Sequence, residues 1–180
     1  DKGSVFLGAN GLTSEIGHTV VDTTTSALLC PCGQIGCLEA MASGTGIERI
    51  TRAKISSGEA SGSILESLDK NEISSEAVFD AAEKKDPLAL STVEIAVSAL
   101  ANGLTNVVHL LNPDMIVLGG GVTTGLVNLD LIRDIKKRML NRIMSDLHKD
   151  FQLTAAKLGD SAGLVGAASL VWQKLEEEKP

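Results

Sequence analysis

Glu15-Ile16-Gly17-His18 and, twelve residues on, Cys30-Pro31-Cys32-Gly33-Gln34-Ile35-Gly36-Cys37-Leu38-Glu39 form the stretch on which the reading of this chain turns. It holds every cysteine of the chain and one of its three histidines. Three thiols within eight residues, with His18 a short loop upstream, make a Cys3His set of the kind that structural zinc prefers. Pro31, Gly33 and Gly36 suit a loop that must turn sharply to point three sulfurs at one centre. Three cysteines cannot all pair as disulfides, and ordinary thiols beside a chance histidine are the weaker account of this spacing. His18, Cys30, Cys32 and Cys37 are therefore the expected metal ligands.

Two carboxylates are tied to the same loop. Glu15 lies three residues before His18 and Glu39 two after Cys37, so a metal that clamps the loop also sets where both point. Carboxylates on a rigid support are good acceptors for ligand hydroxyls. Blander roles stay open: Glu39 as a helix-start residue favoured by the macrodipole, and Glu15 as a solvated loop charge.

Together these residues resemble the signature of the ROK family (repressors, open reading frames and kinases), which holds bacterial sugar kinases and sugar-responsive repressors of the actin-like ATPase superfamily. Leu118-Gly119-Gly120-Gly121-Val122 and the segment from Leu158-Gly159-Asp160 to Ala168 are similar to later segments of that family. The resemblance covers nearly the whole chain. It implies that His18, Cys30, Cys32 and Cys37 bind zinc, that Glu15, His18 and Glu39 contact a sugar, and that the turn of Gly119, Gly120 and Gly121 lies at the adenosine of ATP. The order of elements, strands early and then helix–strand–helix–strand–helix, indicates an α/β fold with a mixed sheet covered by helices, and the resemblance narrows this to the carboxyl-terminal lobe of an actin-like, ribonuclease-H-like architecture. A homodimer is implied as well. Ser14 departs from the pattern, standing where many members carry glycine.

Bulk properties narrow the function classes. A chain of 180 residues supports one domain. A formal charge of −7 and a pI near 4.9 argue against a nucleic-acid surface, which needs a basic face. No apolar run approaches the ~20 residues of a membrane span, and no secretory leader is visible. Clustered cysteines without a pairing scheme fit a reducing, cytoplasmic compartment. Three Phe, one Trp and no Tyr leave the core to aliphatic side chains and offer no stacking platform for bases.

Along the chain, Asp1-Lys2-Gly3 reads as a turn, and Val5 with Leu7 as a short strand. A second strand is expected over Ile16 to Val21, then the metal loop, then helix from Leu38. Thr45 and Glu48 have capping-box spacing for a helix over Gly46 to Ile55, and shorter helices are expected near Ile64 to Leu68 and Ser75 to Lys84. Asp86-Pro87 is a strong helix start. The stripe Val93, Val97, Leu100, Leu104, Val107, Leu111 continues it to Asn112-Pro113, with His109 expected to be packed or half-buried. Met115 to Leu118 reads as a strand buried on both faces, running into Gly119-Gly120-Gly121. Glycines there let a backbone approach a nucleotide closely, although a tight strand-to-helix turn would need them too. The next helix is expected from Leu129 to Leu147, its Lys136-Lys137-Arg138 trio a solvated face. A strand over Phe151 to Ala155 and a last helix with Leu164, Ala168, Val171 and Leu175 on its core face complete the series, before a charged tail from Glu176 to Pro180.

Phosphorylating a sugar hydroxyl needs a carboxylate base and a cradle for the triphosphate. Neither a Walker loop nor an acidic, glycine-rich phosphate turn occurs here, and no catalytic base is nominated. The expectation is the sugar- and zinc-binding lobe, residues 1–180, of an ATP-dependent, glucokinase-like hexose kinase, with an absent amino-terminal lobe supplying the base and the Mg²⁺-linked chemistry. The alternative is the effector-binding domain of a sugar-responsive ROK-type repressor. A zinc module used only for assembly is the third reading.

Overall fold

The computed structural model describes residues 5–24 and 27–177. The expected turn at Asp1–Gly3 and the end of the charged tail lie outside the described residues. After an irregular opening the chain makes a 3-10 turn, Ile16–His18, and enters the metal loop. Helices α1 (Leu38–Ala42), α2 (Gly44–Ser56), α3 (Ser75–Glu83) and α4 (Pro87–Leu111) follow, with a 3-10 turn at Ile64–Ser67 between α2 and α3. Then come β1 (Met115–Leu118), α5 (Gly121–Asn128), α6 (Leu131–Leu140), a 3-10 turn at Asp146–His148, β2 (Gln152–Ala155), another at Gly159–Ser161, and α7 (Ala162–Glu177).

Helix α4 is the hub, packed against α1, α2, α3 and α6. The Asp86 carboxylate accepts the Ala89 N–H at 3.0 Å, Pro87 occupies the first turn, and Asn112 ends the helix in the left-handed region. Val93, Val97, Leu104 and Val108 are buried in the core. Between them Ala96, Ala99, Ala101 and Gly103 let neighbouring backbones come close: a Cβ on Gly103 would stand 2.7 Å from a Leu38 methyl of α1. By length and composition alone α4 could cross a membrane, yet 61% of its apolar stretch is buried inside this fold. It is the core helix.

Several expectations need correcting. No strand forms at Val5–Leu7, and Ile16–Val21 is not a strand either. Ser14 at φ 69° turns the backbone into the 3-10 turn, and only Val20 then pairs, in a single antiparallel bridge to Cys37. Helix α2 is capped by Ser43 rather than Thr45: its hydroxyl accepts the Gly46 N–H at 3.0 Å, because α1 ends one residue earlier. The helix expected over 129–147 is shorter, spanning Leu131–Leu140, and an unexpected helix precedes it. Asp130 adopts φ 54°, so α5 closes before it and α6 opens after it, ending at Leu140. Arg138 is no solvated charge; it ties α6 to α4 by bonding both Glu94 carboxylate oxygens and Ser98, and to its own helix at Asp134. His109 is exposed, its Nε2 accepting the Met144 N–H at 3.3 Å.

Strands β1 and β2 pair in parallel, Met115 with Gln152 through Leu118 with Ala155. Among the described residues the sheet is therefore parallel rather than mixed. It is also not buried on both faces: Met115 and Val117 are 49% and 54% exposed. The apolar residues of α7 face outward too, with Leu164 80% and Val171 62% exposed and Leu175 and Ala168 exposed beside them. An apolar stripe identifies a face; what covers it is a separate matter.

Candidate metal centre and the carboxylates beside it

The metal loop is shaped by backbone pairing. Leu29 bridges to Ile35, the Cys30 N–H donates to the Gln34 carbonyl at 2.8 Å, and the Gly33 N–H donates back to the Cys30 carbonyl. These bonds make a tight turn with Cys32 at its tip, and Gly33 supplies the φ of +91° that closing it requires. Gly36, at φ +81°, leaves no room for a Cβ against the Asp22 carbonyl, and its own carbonyl accepts the N–H groups of Val21 and Asp22. The Val20–Cys37 bridge then brings Cys37 beside His18, whose carbonyl lies 3.5 Å from the Cys37 sulfur. Cys37 caps α1, so Glu39 follows within the first helical turn.

The four expected ligands converge. Their donor atoms lie within 4.8 Å of one another, and no other such group occurs among the described residues. His18 Nδ1 is 3.7 Å from Cys30 Sγ, and Cys32 Sγ is 3.7 Å from Cys37 Sγ. Two sulfurs each ~2.3 Å from a tetrahedral zinc stand about 3.8 Å apart, so the two 3.7 Å pairs already have the spacing this ion requires, and the wider separations, up to 4.8 Å, would have to draw in around it. The thiol chemistry fits as well. Burial pushes the Cys37 thiol up to about 12, with the neighbouring thiols adding to the effect. The exposed Cys32 thiol is lowered, chiefly by its bond to the Gln34 backbone. A buried Cys37 favours its thiolate only with a cation at the centre. His18, Cys30, Cys32 and Cys37 would hold zinc with no open coordination position, leaving the ion to fix the shape of the loop.

His18 has its second nitrogen turned the other way. Nε2 lies 3.8 Å from a Glu39 carboxylate oxygen and 4.0 Å from one of Glu15. With Nδ1 given to a metal, Nε2 would be the ring's donor; at 3.8 and 4.0 Å it makes no hydrogen bond to either glutamate, so the donor and both carboxylate acceptors are left for a ligand. The structure therefore brings Glu15, His18 and Glu39 together at the edge of the metal loop. A cavity of about 270 Å³ opens beside Glu15, bounded by Ser14, Thr19, Asn106 and Leu110. Sequence reading missed Asn106, which comes from α4 some ninety residues away with no local signal. It also missed the part played by Gly17. A Cβ there would lie 3.2 Å from a Glu39 carboxylate oxygen and 3.3 Å from the Glu39 Cβ, so the glutamate rests on bare backbone.

The glycine turn is a separate place with no residue in common. Gly119 and Gly120 line a groove of about 170 Å³ at the carboxyl end of β1, together with Thr123, Thr124, Ala156 and Gly159. Gly120 is left-handed at φ +91° and lets the chain enter α5 directly. Gly121 does not line the groove; it begins α5 and faces Glu76. Thr123 and Thr124 went unanticipated because no helix was expected before Leu129. Ala156 and Gly159 reach the groove through the β1–β2 register, although Gly159 sits in a segment already similar to the family's.

Comparison with known proteins extends these observations. The chain is 34% identical over 173 residues to a glucokinase of Halalkalibacterium halodurans, covering 96% of this chain and 52% of that protein. A ROK family glucokinase from Streptomyces griseus, solved with glucose and AMPPNP, superposes with a TM-score of 0.75 at 30% identity, over 93% of this chain and 54% of its own. A ROK family transcriptional regulator, a homologue of the E. coli MLC protein, gives 0.71 at 31% identity, over 85% of this chain and 37% of its own. The chain spans about half the length of the curated relatives it matches. Its fold is the α/β lobe of the actin-like ATPase architecture, consistent with the carboxyl-terminal one. Residues 2–174 match the ROK family, and the chain belongs to it.

Proposed function

We propose that this chain is the sugar- and zinc-binding lobe of an ATP-dependent hexose kinase of the glucokinase kind, within a protein whose amino-terminal lobe supplies the base and the Mg²⁺-linked phosphate chemistry. One observation carries the reading: His18 points one ring nitrogen into the thiols at 3.7 Å and the other between two carboxylates. Zinc bound to His18, Cys30, Cys32 and Cys37 is structural. Glu15, His18 and Glu39 then offer one donor and two acceptors, a match for adjacent ring hydroxyls of a pyranose. Gly119 and Gly120 seat the adenosine, with Gly121 starting the helix behind them. Free thiols and a net charge of −7 fit a cytoplasmic enzyme that avoids nucleic acid, and a homodimer of the complete protein belongs to the same reading.

Calorimetric titration of glucose and nucleotide into the complete protein, with metal analysis alongside, tests this. Glu15→Gln or Glu39→Gln should weaken glucose binding by about 1.5–3 kcal/mol, the worth of a charged hydrogen bond, and leave zinc in place. Cys37→Ser should lose zinc and glucose binding together while nucleotide affinity holds. Parent-level glucose affinity in zinc-free Cys37→Ser would defeat the coupling of metal loop to sugar site. The likeness to a ROK transcriptional regulator favours a second reading, an effector domain with the same sugar and zinc residues. A winged helix-turn-helix upstream marks the regulator; a base aspartate with phosphate loops marks the kinase.

A further inference from the structure

The three sulfurs of the metal loop are not equivalent. Cys30 and Cys37 are 2% and 0% exposed, whereas Cys32 is exposed at the tip of its turn, between Pro31 and Gly33. A solvent-borne oxidant therefore meets Cys32 first. Its sulfur is 3.7 Å from that of Cys37; the Cys30 sulfur is also near, within 4.8 Å, but lies 3.7 Å from His18 Nδ1. Closing 3.7 Å to the ~2.05 Å of a disulfide is within the reach of a turn tip carried by one short hairpin.

We propose that Cys32 is a modification site for hydroperoxides, where oxidation joins Cys32 to Cys37 and expels zinc. The Cys32 sulfur attacks one peroxide oxygen; the O–O bond breaks, and hydroxide leaves as water after taking a proton. The Cys37 sulfur then attacks the Cys32 sulfur, forming S–S and breaking S–O, and the second oxygen leaves as water. Two thiolates and one hydrogen peroxide with two protons give one disulfide and two waters, the sulfurs losing the two electrons that the peroxide gains. Cys30 and His18 remain, and two donors do not hold a four-coordinate zinc, which departs as the aqua ion. The consequence reaches the ligand side because the loop carries both halves of it. His18 loses the tie on Nδ1, and Cys37, now drawn toward the turn tip, leads directly into Glu39.

The metal and sugar consequences rest on the function proposed above, whereas the disulfide is read independently of it. Protein as prepared is treated with a tenfold molar excess of hydrogen peroxide. Free thiols are then blocked with one alkylating reagent, reduced, and blocked with an isotopically distinct one. Fragmentation mass spectrometry should place the first label on Cys30 and the second on Cys32 and Cys37. One equivalent of zinc should appear in a chromogenic chelator per disulfide formed, glucose affinity should fall at least tenfold, and dithiothreitol with zinc should restore both. The second label on Cys30, a sulfinic acid at Cys32 without a disulfide, or three first-labelled thiols would overturn the proposal. Protein that holds no zinc, or keeps its glucose affinity once oxidised, speaks against the metal or sugar reading instead, and the labelling still decides the disulfide.

Discussion

At the scale of single residues, the contact of Gly17 with Glu39 is the point most open to direct test. Gly17 lies in the 3-10 turn at a backbone conformation that alanine also adopts, so the substitution acts through space rather than strain. A methyl 3.2–3.3 Å from Glu39 must displace that side chain by a few tenths of an ångström from its place beside His18 Nε2. Gly17→Ala should therefore weaken glucose binding by about 1 kcal/mol, the cost of hydrogen bonds held slightly out of place, with zinc content unchanged. Titration at parent affinity would show that Glu39 is not positioned in this way. The convergence of His18, Cys30, Cys32 and Cys37 was legible in the sequence because the cluster is local: three thiols in eight residues fix a spacing that few other functions need. The Gly17 contact was not, since it depends on how α1 swings back over the turn.

Among the elements, α4 shows why some boundaries can be read and others cannot. Asp86-Pro87 and Asn112-Pro113 are local chemistry at each end, and the helix starts and stops where they say. The breaks at Asp130 and Ser43 carry weaker signals and are settled by neighbouring helices. Asp86 does more than cap. Its carboxylate also accepts the Ile64 N–H at 2.8 Å and the Ser63 hydroxyl at 3.0 Å, fastening the turn before α3 to the start of α4. Burial opposes the charge, yet the Ala89 and Ile64 N–H groups and Ser63 outweigh it and hold the carboxyl below the usual carboxylate range. A depressed folded value contributes stability that is full above the unfolded pKa of about 3.9 and lost as pH falls through the folded one. Asp86→Asn should cost about 1–3 kcal/mol at pH 7 and less at pH 3, by urea denaturation at both. Equal losses at the two values would place the effect in packing instead of charge.

For the molecule as a whole, the α/β class and the helical run were readable from periodicity, but the outward faces of β1 and α7 were not. Hydropathy marked Val117, Leu164 and Val171 as apolar, and they are, yet 54%, 80% and 62% of their surfaces are exposed. Pattern gives the face and its width; the covering surface is a fact about the assembly. The same division applies to chemistry. The 180 residues hold a candidate sugar edge and a candidate adenosine groove, and none of them was nominated as the base. In a coupled assay with glucose and ATP, this chain by itself should turn over at no more than background, whereas the chain joined to its proposed amino-terminal lobe should be active. Normal turnover by the 180 residues alone would mean that the base lies among them.

The short span of the metal loop also sets an order of events during synthesis. His18 and the three cysteines leave the ribosome within twenty residues of one another. Asn102, which hydrogen-bonds the Val21 carbonyl, and Gly103, against which Leu38 packs, emerge more than sixty positions after Cys37. At translation speeds of about 5–20 residues per second, that is an interval of several seconds. During it the nascent chain presents the complete Cys3His set without the helix that later buttresses it, so the zinc proposed above would find its four donors before α4 docks onto the loop.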